Sequence, residues 1–136
     1  MSGHFFFADR YLGFDDGIYA ALRLIEILAR TGRTVLENLS DMPACFNTPE
    51  LRVDCPDALK FDVVERVREK LASRGQVNGL DGVRVTYDDG AWSLVRASNT
   101  GPLIVLRFEA PSAERLSALR AEVEGVVREA RKASGE

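Results

Sequence analysis

The chain has 136 residues, 46% hydrophobic and 29% charged, with a formal net charge of −3. These values suit a soluble globular domain, or one domain plus an appendage, able to bury a core. With no basic stripe or tail they argue against binding nucleic acid through its phosphate backbone, and no apolar run approaches the roughly 20 residues that span a bilayer.

At the N-terminus, MSGHFFFADR has no basic segment ahead of an apolar one and does not read as a signal peptide. Within it, 4–7 (HFFF) is a short β-prone run. Asp15 and Asp16 offer a cap and a negative first turn for a helix through about Ala29 that ends before Gly32. Ile18, Ala21, Leu22, Ile25 and Leu28 share one face of this helix, while Tyr19, Leu24 and Ile27 lie elsewhere and only Arg23, Glu26 and Arg30 interrupt. A helix so apolar around its circumference is expected to be covered on more than one side, which makes self-association through 15–30 one expectation. A second short helix over 34–41 leads to the loop MPACFNTP, where the main boundary is placed: 1–42 as one part, 43–136 as the other.

Beyond the boundary the pattern becomes regular. Leu51, Val53 and Cys55 alternate with Arg52 and Asp54, as in a half-buried strand. Residues 58–75 predict an amphipathic helix with Phe61, Val64, Val67 and Leu71 inward and Gly75 as its stop. Strands are expected at 83–87, 91–95 and 102–108, and a last amphipathic helix at 112–133, capped by Ser112, with Leu116, Leu119, Val123 and Val126 inward. The order β-α-β-β-β-α predicts an α+β fold: a four-stranded, mostly antiparallel sheet with two helices on one face. Residues 1–42 read as a strand–helix remnant of an α/β domain.

Cys45 and Cys55 have no ligand-like spacing and His4 is the sole histidine, so no metal site is expected on this chain. Without an export signal both thiols read as reduced, in a cytoplasmic protein. The candidate for chemistry is 96-RASNTG-101. Arg96 presents a planar fork that suits phosphate oxygens, and Ser98, Asn99, Thr100 and the turn N–H groups can add donors. Gly101 allows positive φ and close backbone approach. Residue types alone favour a plain polar turn, with Arg96 paired to a surface acid.

Three stretches reverse that preference. RASNTGPLIVLRFEA resembles the phosphate-binding loop and following strand of bacterial phosphomannomutase/phosphoglucomutase enzymes, in the α-D-phosphohexomutase superfamily. LDGVRVTYDDGAWSLVRASNT is similar to the region leading into that loop. SGHFFF with GFDDGIYAALRLIEIL resembles the end of the family's third domain, whose sugar-recognition motif runs GEMSGH. The resemblance covers essentially the whole chain. It implies a C-terminal fragment of a four-domain isomerase that interconverts hexose 1- and 6-phosphates through a phosphoserine and a bisphosphorylated intermediate. It also implies Mg²⁺ at the phosphoserine and a sugar bisphosphate as activator.

Carried onto this sequence, Arg96, Ser98, Asn99 and Thr100 would grip the phosphate that is not being transferred. Ser2 would contact the sugar, and His4 would be the active-site histidine. The glutamate of GEMSGH, the TASHNP serine loop and the DGDxDR metal loop are not in this sequence, and Gly101 stands where the family usually carries a larger residue. The chain alone is therefore expected to bind mannose or glucose phosphates without turning them over. The alternative is a free-standing phosphosugar- or anion-binding module, or a dimerisation module.

Overall fold

A computed structural model describes residues 3–135. The chain divides into two compact units, Met1–Pro43 and Ala44–Glu136.

In the first unit, helix α1 runs Gly17–Thr31. Asp16 caps it, accepting from the N–H groups of Ile18 and Tyr19 at 2.9 Å. Gly32 closes it in the left-handed region, at φ 64°, and returns its N–H to the Leu28 carbonyl. Helix α2, Val35–Asn38, starts with a full capping box from Thr34 and Glu37. The expected strand at 4–7 is reduced to a single bridge between Phe6 and Asp15, since among the described residues no strand lies beside it to complete a ladder. Aromatic rings tie this segment to the helix instead: Tyr11 stacks on Tyr19 at 4.1 Å, and Phe7 meets Tyr19 edge-on at 5.5 Å. No residue of α1 is buried, and Ile18 is 79% exposed.

The second unit is an antiparallel sheet under two helices. Its elements are β1 (Phe46–Asn47), β2 (Leu51–Asp54), α3 (Lys60–Leu71), β3 (Gln76–Asn78), β4 (Val83–Thr86), β5 (Trp92–Ala97), β6 (Leu103–Ala110) and α4 (Ala113–Ala133). The sheet runs β3-β4-β5-β6, and β6 pairs on its other side with β1 near Ala110 and with β2 near Leu106. It has six strands where the sequence predicts four. The two additions are short edge pieces without the alternation that marks a strand in sequence. In β1 the run stops two residues before Pro49, which has no N–H for a ladder. Strand β3 carries only Val77 as an inward apolar residue.

The register explains which side chains reach the core. Val83, Val95 and Leu106 are successive partners across the sheet, as are Val85, Ser93 and Phe108. Cross-strand partners point to the same face, and these residues are buried against Val63, Val67 and Leu71 of α3 and Leu119, Val123 and Val127 of α4. The opposite face carries Trp92, Leu94 and Arg96 from β5 and Val105, Arg107 and Glu109 from β6. Helix α3 differs from expectation at one residue: Phe61 is 63% exposed, and Val63 occupies the core in its place. The buried stripe is Lys60, Val63, Val64, Val67, Leu71, and Phe61 falls about 100° off it. Gly75 does not stop the helix, which ends at Leu71; a side chain there would come within 2.4 Å of the Thr86 carbonyl oxygen.

Candidate functional site

Strands β5 and β6 are the longest of the sheet and are joined by the turn at 98–102. Two backbone bonds close the turn: Ser98 N–H to the Leu103 carbonyl at 2.9 Å, and Leu103 N–H to the Gly101 carbonyl at 2.9 Å. Arg96 is a strand residue, not a turn residue. Alternation along β5 sends Ala97 into the core and Arg96 to the helix-free face, in register with Val105. Its guanidinium is 3.9 Å from the Asp81 carboxylate, at the outer limit of an ion pair, and Asp81 is largely exposed. Such a contact is weak in water and leaves the fork available to a stronger anion.

Within the turn, Ser98 is buried; its hydroxyl oxygen accepts from Thr100 N–H at 3.2 Å and lies 3.3 Å from the Thr100 hydroxyl. One lone pair is thus spent, and the Ser98 proton remains free for Thr100 or for a ligand. Asn99 and Thr100 are exposed. Among the described residues, the N–H groups of Asn99 and Gly101 and the Asn99 side-chain amide have no hydrogen-bond partner. Gly101 does not use the positive φ open to it, and a side chain there would meet only Leu103, at 3.8 Å.

Two supports of this turn went unpredicted. Gly82, at φ 81°, presses on β5 so closely that a Cβ would lie 2.4 Å from the Val95 carbonyl oxygen and 2.6 Å from Arg96 Cβ. Lys60 is buried on the core side of α3. Its Nζ donates to Asp57 Oδ1 at 2.6 Å, to the Ser98 carbonyl at 2.6 Å and to the Gly101 carbonyl at 3.2 Å. The signal for Lys60 was legible, since a lysine occupies the first position of an otherwise apolar i, i+3, i+4, i+7 stripe.

In the first unit, His4 is exposed and its Nδ1 is bonded to the Asp15 carboxylate. A carboxylate only accepts, so it holds the proton on Nδ1 and leaves Nε2 as the unprotonated nitrogen on the other side of the ring. Asp15, expected as part of the helix cap, orients the histidine instead; Asp16 alone caps. Eleven residues separate the pair, too far for any local pattern to reveal. Ser2 lies outside the described residues. Among the described residues no three His, Cys, Asp or Glu side chains gather to hold a metal ion. Those residues offer Mg²⁺ no fitting site. No helix among them is long and apolar enough to cross a membrane.

The second unit is therefore an α+β domain that presents an arginine and a donor-rich turn at one end of its sheet. Residues 50–126 match the model of the phosphoglucomutase/phosphomannomutase C-terminal domain, and residues 1–46 match that of the alpha/beta/alpha domain III of the same enzymes. The chain belongs to the phosphoglucomutase/phosphomannomutase family. It is 46% identical over 121 residues to a phosphomannomutase/phosphoglucomutase of Pseudomonas aeruginosa, an alignment that takes in 88% of this chain and 26% of that protein. To a Neisseria gonorrhoeae phosphoglucomutase it is 39% identical over 133 residues, 93% of this chain and 28% of that one. The structure resembles that of a phosphoglucomutase/phosphomannomutase family protein from Burkholderia thailandensis, with a TM-score of 0.73 at 40% identity, over 98% of this chain and 27% of the other. The chain spans about a quarter of the length of the curated relatives it matches.

Proposed function

We propose that this chain is the C-terminal, phosphosugar-binding part of a cytoplasmic phosphohexomutase that interconverts hexose 1- and 6-phosphates through a phosphoserine and a bisphosphorylated sugar. In this reading residues 1–42 belong to the third, sugar-binding domain and 43–136 form the phosphate-binding domain. The observation that carries it is the group formed by the Arg96 fork, which has one long contact among the described residues, the unpartnered N–H groups of Asn99 and Gly101, the Asn99 side-chain amide, and the Ser98–Thr100 hydroxyl pair, which keeps one proton uncommitted. Donors with no protein acceptor at a strand end suit a tetrahedral dianion, which the turn holds while chemistry proceeds elsewhere on the sugar.

Ser2 and His4 are assigned to the sugar side. Asp15 would keep the His4 ring in the tautomer that offers Nε2 to substrate. Magnesium, which would neutralise charge at the transferring phosphoryl group, belongs with the phosphoserine on segments whose TASHNP and DGDxDR motifs this sequence lacks. The chain alone then binds hexose phosphate and does not turn it over, with or without a sugar bisphosphate activator. Exposed Ile18, Leu22 and Ile25 on α1 support a covering layer for that helix, as an alpha/beta/alpha domain supplies. A second copy of the chain is the other cover, and light scattering tells the two apart.

The test is calorimetric titration with mannose 1-phosphate and glucose 1-phosphate. Arg96→Ala should weaken binding by about 10- to 100-fold, the worth of hydrogen bonds to a charged acceptor. A wild-type chain that binds neither sugar phosphate, or a variant that binds as the wild type does, would overturn the assignment.

A further inference from the structure

We propose that Lys60 is a positioning residue for the anion site: by holding two turn carbonyls from the core side, it aims the Asn99 N–H outward as a phosphate donor. This rests on the reading of the 96–101 segment as phosphate-binding.

An ammonium has three N–H donors, and in Lys60 all three are spent, on the Asp57 carboxylate and on the carbonyls of Ser98 and Gly101. Lys60 therefore has no donor left for a ligand and can act only through the turn. Its location is costly on two counts. A cation buried at 6% exposure must recover its lost hydration from these partners. It also stands at the first residue of α3, where the helix dipole disfavours positive charge and where Leu59 provides no side-chain cap. An apolar residue would complete the stripe of Val63, Val64, Val67 and Leu71 without either cost. What the lysine adds is a fixed direction for two carbonyls thirty-eight and forty-one residues away.

That direction decides what an arriving anion meets. In a planar trans peptide the C=O and the following N–H point opposite ways. The Ser98 carbonyl turned inward to Lys60 therefore turns Asn99 N–H outward, and this N–H has no partner among the described residues. The same rotation removes a partially negative oxygen from the face a phosphate would approach. After Gly101 the next residue is Pro102, which has no N–H, so drawing that carbonyl inward wastes no donor.

The experiment uses the full chain, uniformly ¹⁵N-labelled and titrated with inorganic phosphate and with glucose 1-phosphate. The wild type should show a saturable downfield shift of the Asn99 amide alongside shifts at Arg96 and Thr100. In Lys60→Met the Asn99 response should disappear and affinity should fall about tenfold, the equivalent of one hydrogen bond to a charged acceptor, with Trp92 fluorescence showing that the sheet is folded. A Lys60→Met chain that binds with the wild-type affinity and Asn99 shift overturns the proposal while leaving the phosphate reading intact. So does a wild type in which Arg96 and Thr100 respond and Asn99 does not, a result that needs no variant to fold. A wild type with no saturable response at any of these residues overturns the phosphate reading itself.

Discussion

Replacing Gly82 by alanine should loosen the sheet and the anion site together, and Gly90 provides the control. Both glycines have φ 81°, a region costly for a residue with a Cβ. Alanine at Gly90 meets nothing within 4 Å, so it bears the backbone cost alone, about 1–2 kcal/mol. At Gly82 the new methyl would lie 2.4 Å from the Val95 carbonyl oxygen, 2.6 Å from Arg96 Cβ and 2.8 Å from Arg96 Cα. None of these is the free end of a flexible side chain, so β5 must give way by roughly half an ångström or more, in a packed interior that resists it. Overpacking of this kind adds about 1–3 kcal/mol, for a total of about 2–5 kcal/mol. At a urea slope of about 1.5 kcal/mol per molar, a loss of 3 kcal/mol lowers the midpoint by about 2 M. Trp92, the sole tryptophan, lies in β5 and reports the transition. Because two of the three displaced atoms belong to Arg96, phosphate affinity should fall in Gly82→Ala and hold in Gly90→Ala. Equal midpoints for the two variants would refute the steric argument.

Three further outcomes are expected of the second unit. Several carboxylates titrate below their ordinary range: Asp89 through its bond from Arg115, Asp62 through the Ser134 hydroxyl and then Arg66, and Glu129 through Lys70. Groups depressed in the folded state add stability above the ordinary carboxyl pKa of about 4 and lose it as pH falls through their lower folded values. The melting temperature followed at Trp92 should therefore drop below about pH 4, and a rise between pH 5 and pH 3 would contradict this assignment. In α3, Val63→Ala should cost about 1–3 kcal/mol by urea unfolding, because Val63 is fully buried. Phe61→Ala should cost about 1 kcal/mol or less, its one specific contact among the described residues being the Lys60 ammonium 5.3 Å from the ring.

The central elements of the second unit were legible because each carries a simple apolar pattern. Alternation in β2 and β4 and the amphipathic stripes of α3 and α4 follow from burial on a single face, while β5 and β6 show as apolar runs, with Ile104, Val105 and Leu106 of β6 buried in succession. Phe61 misled because its i, i+3 spacing to Val64 places it at the edge of the buried stripe, about 100° from its centre, while the charge of Lys60 hid the true first position. The edge pieces at Phe46–Asn47 and Gln76–Asn78 escaped because their partners, in β6 and β4, define them, and nothing within them does. The 4–7 run failed conversely, since β-prone residues make a strand only where a neighbour accepts their hydrogen bonds. In the candidate site, residue types named the donors of the turn, and the resemblance to the phosphohexomutases gave them a purpose. What holds those donors in place was not legible: Asp15 behind His4 and Gly82 against Arg96 are contacts between distant parts of the chain. Lys60 alone left a trace, a charge in an apolar stripe.

The turn at 98–102 also inherits a timescale from its mounting. Strand β5 is bonded on both sides, to β4 and β6, and β6 is bonded to β5 on one side and to β1 and β2 on the other. Interior strands open only with the cooperative unfolding of their unit, whereas exposed turn amides exchange through small local fluctuations. The turn thus combines a mount that stays closed for as long as the sheet persists with an exposed tip at Asn99 and Thr100. Under the phosphate-binding proposal, the slow frame would return Arg96 to the same place for each binding event.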